Sequence, residues 1–311
     1  MNRFRAQFGL RLLRLRHMLT RYGDRILGRL VKWFLAALRR TNPDRASDLC
    51  GAMARRVGPL LPAHRIGQAN LRAAFPDKDP AWIEATLREA WDNLGRVAGE
   101  YVHLGTLAQF DPARPQDSRI RTGSIPLFEE LLHDGKPALC FSAHLGNWEI
   151  PAVAVTRHGM DTAVVYRMPN NKAVAKEIIR IRAPLMGKLI RTRAQAALEM
   201  AAALSAGLHL GMLVDQHFSR GVDVTFFGRR CKANPSIARL LRRFDCPVVG
   251  IHVVRRPDQT FDVIAEGPFE MPRDAEGAVD VEAATQAMIT IVEGWIRANP
   301  GQWLWFHRRW R

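Results

Sequence analysis

The sequence predicts an α/β fold: a mixed, mostly parallel central sheet flanked by helices, behind an N-terminal basic amphipathic helical segment. Three observations carry this expectation. Between about residues 120 and 270, short apolar runs alternate with stretches of helical period, the pattern of strands joined through helices. Residues 44–110 read as helical. The first 40 residues hold eleven Arg or Lys against one acid, Asp24, interleaved with large apolar residues.

The leading segment carries ten of the chain's sixteen net positive charges. Its longest uninterrupted apolar run, Trp33 to Leu38, is six residues, far short of the roughly 18 that a spanning helix needs. Arginines also interrupt every candidate apolar region of a secretory signal. Basic residues beside large apolar ones, without a helix breaker, describe a helix lying in the interface of an anionic bilayer. Thr41-Asn42-Pro43 ends that helix and offers a cap to the next. The chain thus divides into a membrane-associating helix, 1–42, and one catalytic domain, 43–311, with a helical part at 43–118 and an α/β core at 119–311.

In the helical part Leu49, Met53 and Val57 recur at fourfold spacing, and Trp82, Ile83, Leu87, Trp91 and Leu94 follow an amphipathic period. Strands are expected at 138–142, 163–166, 208–214, 222–227, 247–254 and 261–265. Helices are expected near 124–133, 148–158, 173–185, 193–203, 236–243 and 280–298.

Composition narrows the function. A hydrophobic content of 47% and a charged content of 24% describe an ordinary globular chain of 311 residues. The net charge of +16 calls for an anionic partner. Nucleic acid is the different-class alternative, but no nucleic-acid motif is present, and Trp33 and Phe34 sit in an apolar face rather than among the basic residues as stacking platforms. Cys50, Cys140, Cys231 and Cys246 are scattered, without the spacing of a disulfide framework or a zinc site. No metal or cofactor is expected. The chain has no GxSxG elbow, which argues against a serine hydrolase.

The chemistry concentrates in Phe141-Ser-Ala-His144-Leu-Gly-Asn-Trp-Glu149. An apolar strand here delivers a histidine and, after four intervening residues, a carboxylate. Histidine takes and returns protons near neutral pH. A carboxylate nearby can orient the ring or stabilise its charged form, the role expected of Glu149. In α/β folds, sites collect at the C-terminal ends of strands, and both His144 and Asp215 fall at such ends.

His144-Leu-Gly-Asn-Trp-Glu149 resembles the HxxxxD/E motif of the bacterial lipid A late acyltransferases, the lauroyl and myristoyl enzymes. Three further blocks resemble that family in order. Val165-Tyr-Arg167-Met-Pro-Asn-Asn171 matches its Tyr-Arg-Pro-x-x-Asn block, with Met168 inserted. Asp215-Gln216, Gly221 and Val224-Thr-Phe-Phe-Gly228 match its DQ…G…VxFFG block, and Trp303-Leu-Trp305-Phe-His-Arg-Arg-Trp310 matches its ending. The chain departs from the family at Ala233-Asn-Pro-Ser236, where relatives often carry a Thr-rich segment, and in its basic leading helix, where relatives often carry a spanning one.

The resemblance implies transfer of a fatty acyl chain from acyl-acyl carrier protein to a hydroxyl of a phosphorylated, Kdo-bearing lipid A precursor, an anionic glycolipid. It places the enzyme at the cytoplasmic face of a Gram-negative inner membrane. His144 and Glu149 would be the catalytic pair. Arg167 would bind a phosphate or the donor's anionic arm, assisted by Asn171. Asp215 and Gln216 would serve the site by positioning Arg167 or Arg220, and Arg220 could contact a second phosphate. Another lipid acceptor, a phosphatidylinositol mannoside or a lysophospholipid, would use the same chemistry. The tryptophan-rich tail either packs on the core or forms an interfacial belt.

Overall fold

The computed structural model describes residues 22–111 and 113–310. Residues 1–21, which hold six of the eleven basic residues of the leading segment, lie outside them. Residues 22–38 are helical. Trp33 on this helix is 74% exposed, Tyr22 and Leu30 are also exposed, and Leu35 and Leu38 are buried. Among the described residues no helix is long and apolar enough to cross a membrane.

Three helices follow: α1 (Pro43–Val57), α2 (Pro62–Ala74) and α3 (Pro80–Glu100). Their starts are written locally. Asn42 caps α1 by accepting from the Asp44 N–H, and Asp79 caps α3 by accepting from the Trp82 N–H, each ahead of a proline at the first helical position. The fourfold series on α1 faces out rather than in: Leu49 is 66% exposed, and Met53 and Val57 are exposed with it. The buried face is instead Ala46, Ser47, Cys50 and Gly51. Small side chains let α1 approach α3 at van der Waals distance. A Cβ at Gly95 would lie 2.3 Å from the Cys50 carbonyl oxygen, and one at Gly99 would lie 2.4 Å from that of Ala46. Close approach therefore decides which face is buried, and the apolar stripe is left to solvent or lipid.

Short helix α4 (Leu104–Leu107) leads into the α/β core. Its strands are β1 (Ile120–Arg121), β2 (Leu139–Ser142), β3 (Thr162–Tyr166), β4 (Lys188–Arg191), β5 (His209–Leu213), β8 (Val248–Arg255) and β9 (Phe261–Glu266). They form one seven-stranded sheet in the order β1-β9-β8-β2-β5-β3-β4. Only the β8–β9 pair is antiparallel. The mixed, mostly parallel sheet expected from the sequence is present. A hairpin of β6 (Val222–Phe226) and β7 (Arg229–Ala233) stands apart from it. Its turn residues Phe227 and Gly228 both have positive φ, 52° and 70°, the backbone that a two-residue hairpin turn requires.

The core helices are α5 (Ile125–His133), α6 (Ile150–Arg157), α7 (Lys172–Arg182), α8 (Ala196–Ser205), α9 (Ser236–Leu241) and α10 (Val281–Ala298). One sheet face buries Leu139, Phe141, Leu210 and Met212 with α8, α9, α10 and the hairpin. Trp303 and Trp305 are fully buried in the same cluster, so these two pack on the core and are not part of an interfacial belt. The other face buries Val249, Ile251 and Val253 with α4, α5 and α6. Strand residues between β8 and β4 on this second face are only half-buried, giving the alternation seen at Cys140 and Ser142 on β2 and at Gly211 and Leu213 on β5. A cavity lies there.

Candidate functional site

The site is built where β2 and β5 end side by side. These strands are parallel neighbours, and Ser142 pairs with Leu213. His144 and Asp215 each lie two residues beyond that pair, so the register alone brings them together. Asp215 Oδ1 accepts from His144 Nδ1 at 2.8 Å, and its Oδ2 accepts from the His144 backbone N–H at 2.9 Å and from Trp303 Nε1 at 2.7 Å. The carboxylate is completely buried. Burial works against its charge, but the His144 ring, then His307 and the His144 backbone N–H, outweigh it and hold Asp215 well below the ordinary carboxylate range. With its proton committed to Asp215 at Nδ1, the ring presents Nε2 as the basic nitrogen. Gln216 Nε2 lies 3.3 Å from that atom.

The loop that carries His144 is fixed from outside. Gly146 has φ of 56°, and a Cβ there would sit 2.3 Å from the Val253 carbonyl oxygen. Its carbonyl accepts from Asn93 Nδ2 at 2.9 Å. Asn147 donates to Glu100, which is also clamped by both terminal nitrogens of Arg255 and by the Ser47 hydroxyl. The Leu304 N–H donates to the His144 carbonyl at 3.1 Å. Helix α3, strand β8 and the C-terminal tail thus set the one loop that carries His144.

Glu149 is placed differently from the sequence expectation. Its carboxylate makes no hydrogen bond to the His144 ring, whose Nδ1 is held by Asp215. Instead the buried Glu149 carboxylate accepts from Arg182 Nε at 2.9 Å and from a terminal Arg182 nitrogen. Trp148 Nε1 donates to it at 3.1 Å. Burial opposes the charge on Arg182, and Glu149 overcomes this, so the guanidinium pKa is raised. The Asp215 expectation is also corrected: its partners are His144 and Trp303, not Arg167 or Arg220. Asn171 caps α7 by accepting from the Ala173 and Val174 N–H groups, and its amide donates to the Asp24 carbonyl at 3.0 Å. It therefore ties the leading helix to the core and does not line the cavity. Arg220 is exposed and lies off the cavity too.

The cavity has a volume of about 910 Å³, near the upper end for small-molecule sites. His144, Trp148, Glu149, Arg182 and Gln216 line one end of it, and Arg167 and Arg308 are exposed at its mouth. Deeper walls are largely apolar: Val155, Met160, Val164, Met186 and Ile251. Cys140 also lines it, but burial and the neighbouring Cys246 push its thiol up to about 12, so it remains a neutral thiol.

His307 also lines the cavity. Its Nδ1–H donates to the Leu304 carbonyl at 2.8 Å, and its ring meets Trp303 edge-on at 5.3 Å. Burial pushes His307 down to about 4, and does the same to His252, which stacks on Trp295. Both rings are neutral in the fold, while the unfolded chain protonates near 6.5. Folding stability is therefore full above pH 6.5 and falls as pH drops from about 6.5 to about 4. Asp215, depressed in the fold, adds a further loss only below the unfolded carboxylate value of about 3.9. Denaturation midpoints measured between pH 7 and pH 4.5 should show this slope, and His252→Phe, which keeps a ring beside Trp295, should flatten it.

Of the residues the sequence singles out, His144, Glu149, Gln216 and Arg167 line the cavity. Sequence reasoning missed Arg182, Trp303 and the role of Asp215. The signal was the end of the 208–214 run; what the sequence lacked was the knowledge that β5 pairs with β2.

No individual curated protein matches the chain. The family described as bacterial lipid A biosynthesis acyltransferase matches residues 15–311. That span contains the His144 loop, the Asp215 strand end and the tail that donates Trp303 to it, and the chain belongs to the bacterial lipid A biosynthesis acyltransferase family.

Proposed function

We propose that the protein transfers a fatty acyl chain from acyl-acyl carrier protein to a hydroxyl of a phosphorylated, Kdo-bearing lipid A precursor. His144 acts as general base. The observation that carries this reading is the buried Asp215 carboxylate on Nδ1, which leaves Nε2 basic at the head of a cavity with apolar depths. In the reaction, Nε2 takes the proton of the acceptor hydroxyl as its oxygen attacks the thioester carbonyl carbon. The tetrahedral intermediate then collapses, the carbon–sulfur bond breaks, and the His144 proton passes to the leaving thiolate. The Gln216 amide, displaced from Nε2 by substrate, is placed to donate to the developing oxyanion. Glu149 acts through Arg182, holding that cation at the cavity wall.

Charge supports the choice of partners. Arg167 and Arg308 at the mouth suit phosphates, and a net charge of +16 suits both an acidic carrier protein and an anionic membrane surface. The exposed apolar residues of the 22–38 helix and of α1 fit attachment to the cytoplasmic face of the inner membrane.

The test is to incubate purified protein with acyl-acyl carrier protein and a tetra-acylated, Kdo-bearing precursor, and to read products by mass spectrometry. A gain of one acyl chain on the glycolipid is expected. Transfer to a lysophospholipid but not to the glycolipid would reassign the acceptor. Absence of both transfer and thioester hydrolysis would overturn the reading.

A further inference from the structure

The central strand β5 contains a glycine that its backbone does not require. Gly211 lies between β2 and β3, opposite Cys140 on one and Val164 on the other. Its φ is not positive, and a Cβ built on it would meet only the Ala163 carbonyl oxygen, 4.0 Å away. A glycine in a strand interior forfeits packing and usually marks a bulge or a close approach, and neither is present here. What the missing side chain leaves is space. Leu210 turns into the core on the opposite sheet face, while His209, Gly211 and Leu213 line the cavity. Position 211 is therefore a step halfway down the bore.

Below that step the bore passes His209, Thr162 and Met186. His209 is tied off as a polar group, since its Nδ1 accepts from the Ala138 N–H at 3.1 Å. At the far side stand Phe128, Val155 and Met160. These three side chains also line a second, almost wholly apolar cavity of about 40 Å³, whose other walls include Phe110, Ile120 and Val263. They are the residues shared by both cavities, and so form the partition between them.

We propose that Gly211 and the Phe128–Val155–Met160 partition set the acyl-chain length this protein accepts: Gly211 keeps the lower half of the bore open, and the partition ends it. This rests on the acyl-transfer reading above. The distance from Gly211 to His209 is two strand residues, roughly 6.6 Å, the length of about five methylenes of an extended chain. Each methylene denied its cavity costs about 4-fold in binding.

Displacement of a fluorescent fatty-acid probe by saturated fatty acids of increasing length, run beside acyl transfer from carrier-protein thioesters of the same lengths, tests this. Gly211→Val should move the optimum toward shorter chains by about five carbons, with Gly211→Ala in between. Valine suits a central strand, so the variant should remain folded. Met160→Ala should extend the optimum toward longer chains. Should that variant fail to fold, Phe128→Leu opens the same wall. An unchanged length order in folded Gly211→Val, in binding and in transfer, overturns the proposal. A length optimum in fatty-acid binding that Gly211→Val shortens, with no transfer by the wild type from any thioester, upholds the measuring bore and refutes the transfer reading.

Discussion

Asp215→Asn lowers acyl transfer on the order of 10³-fold or more while the protein stays folded. The reasoning is one of tautomers. The Asp215 carboxylate can only accept, so it holds the His144 proton on Nδ1 and leaves the Nε2 lone pair for the acceptor hydroxyl. The amide of asparagine has nearly the same shape and can still accept from Trp303. Its NH₂ group, however, faces Nδ1 and favours the ring form with the proton on Nε2. A base already protonated at the reacting nitrogen cannot take the hydroxyl proton. The check is a steady-state rate beside a melting curve: a folded Asp215→Asn variant with near-normal turnover would show that Asp215 does not set the state of His144.

The second large effect is on stability. Glu149→Gln leaves the Arg182 guanidinium in a buried setting without its carboxylate. Removing one partner of a buried ion pair costs about 3–5 kcal/mol. For a chain of this size that is a fall in melting temperature on the order of 5–10 °C. The joint change Glu149→Gln with Arg182→Gln removes the stranded charge and should recover much of the loss. If Glu149 were instead the partner of His144, the single change would leave stability near wild type and remove activity alone. The two carboxylates are thereby told apart: Asp215→Asn acts on rate, and Glu149→Gln acts on stability first. Thermal melts of the three proteins decide it.

The difference between these residues explains what the sequence could and could not say. Period and capping are local. The strands at 139–142, 162–166, 209–213, 222–226, 248–255 and 261–266 follow apolar runs readable in order, and Asn42-Pro43 and Asp79-Pro80 announce helices by their own chemistry. Strand β4 was not legible, because Lys-Leu-Ile-Arg is a short edge strand. Strand β7 was hidden because its Arg and Lys residues face solvent and only Cys231 and Ala233 are buried. On α1 the largest apolar residues are exposed because Gly95 and Gly99 on a helix far along the chain accept the small face. The site was half legible for the same reason. His144 and Glu149 are five positions apart in sequence, which makes them look like a pair. The true neighbour of the ring is Asp215, 71 positions away. It arrives through the parallel pairing of β2 with β5, a relation that no local pattern encodes.

The most direct test of the general-base account is the rate of acyl transfer to the Kdo-bearing precursor by His144→Ala, measured beside the wild type at equal folded concentration. A drop on the order of 10²–10⁴-fold is expected, with the variant still folded and thioester still bound. Near-normal transfer by the folded variant would contradict the assignment of His144 as the base, and with it the mechanism built on Asp215.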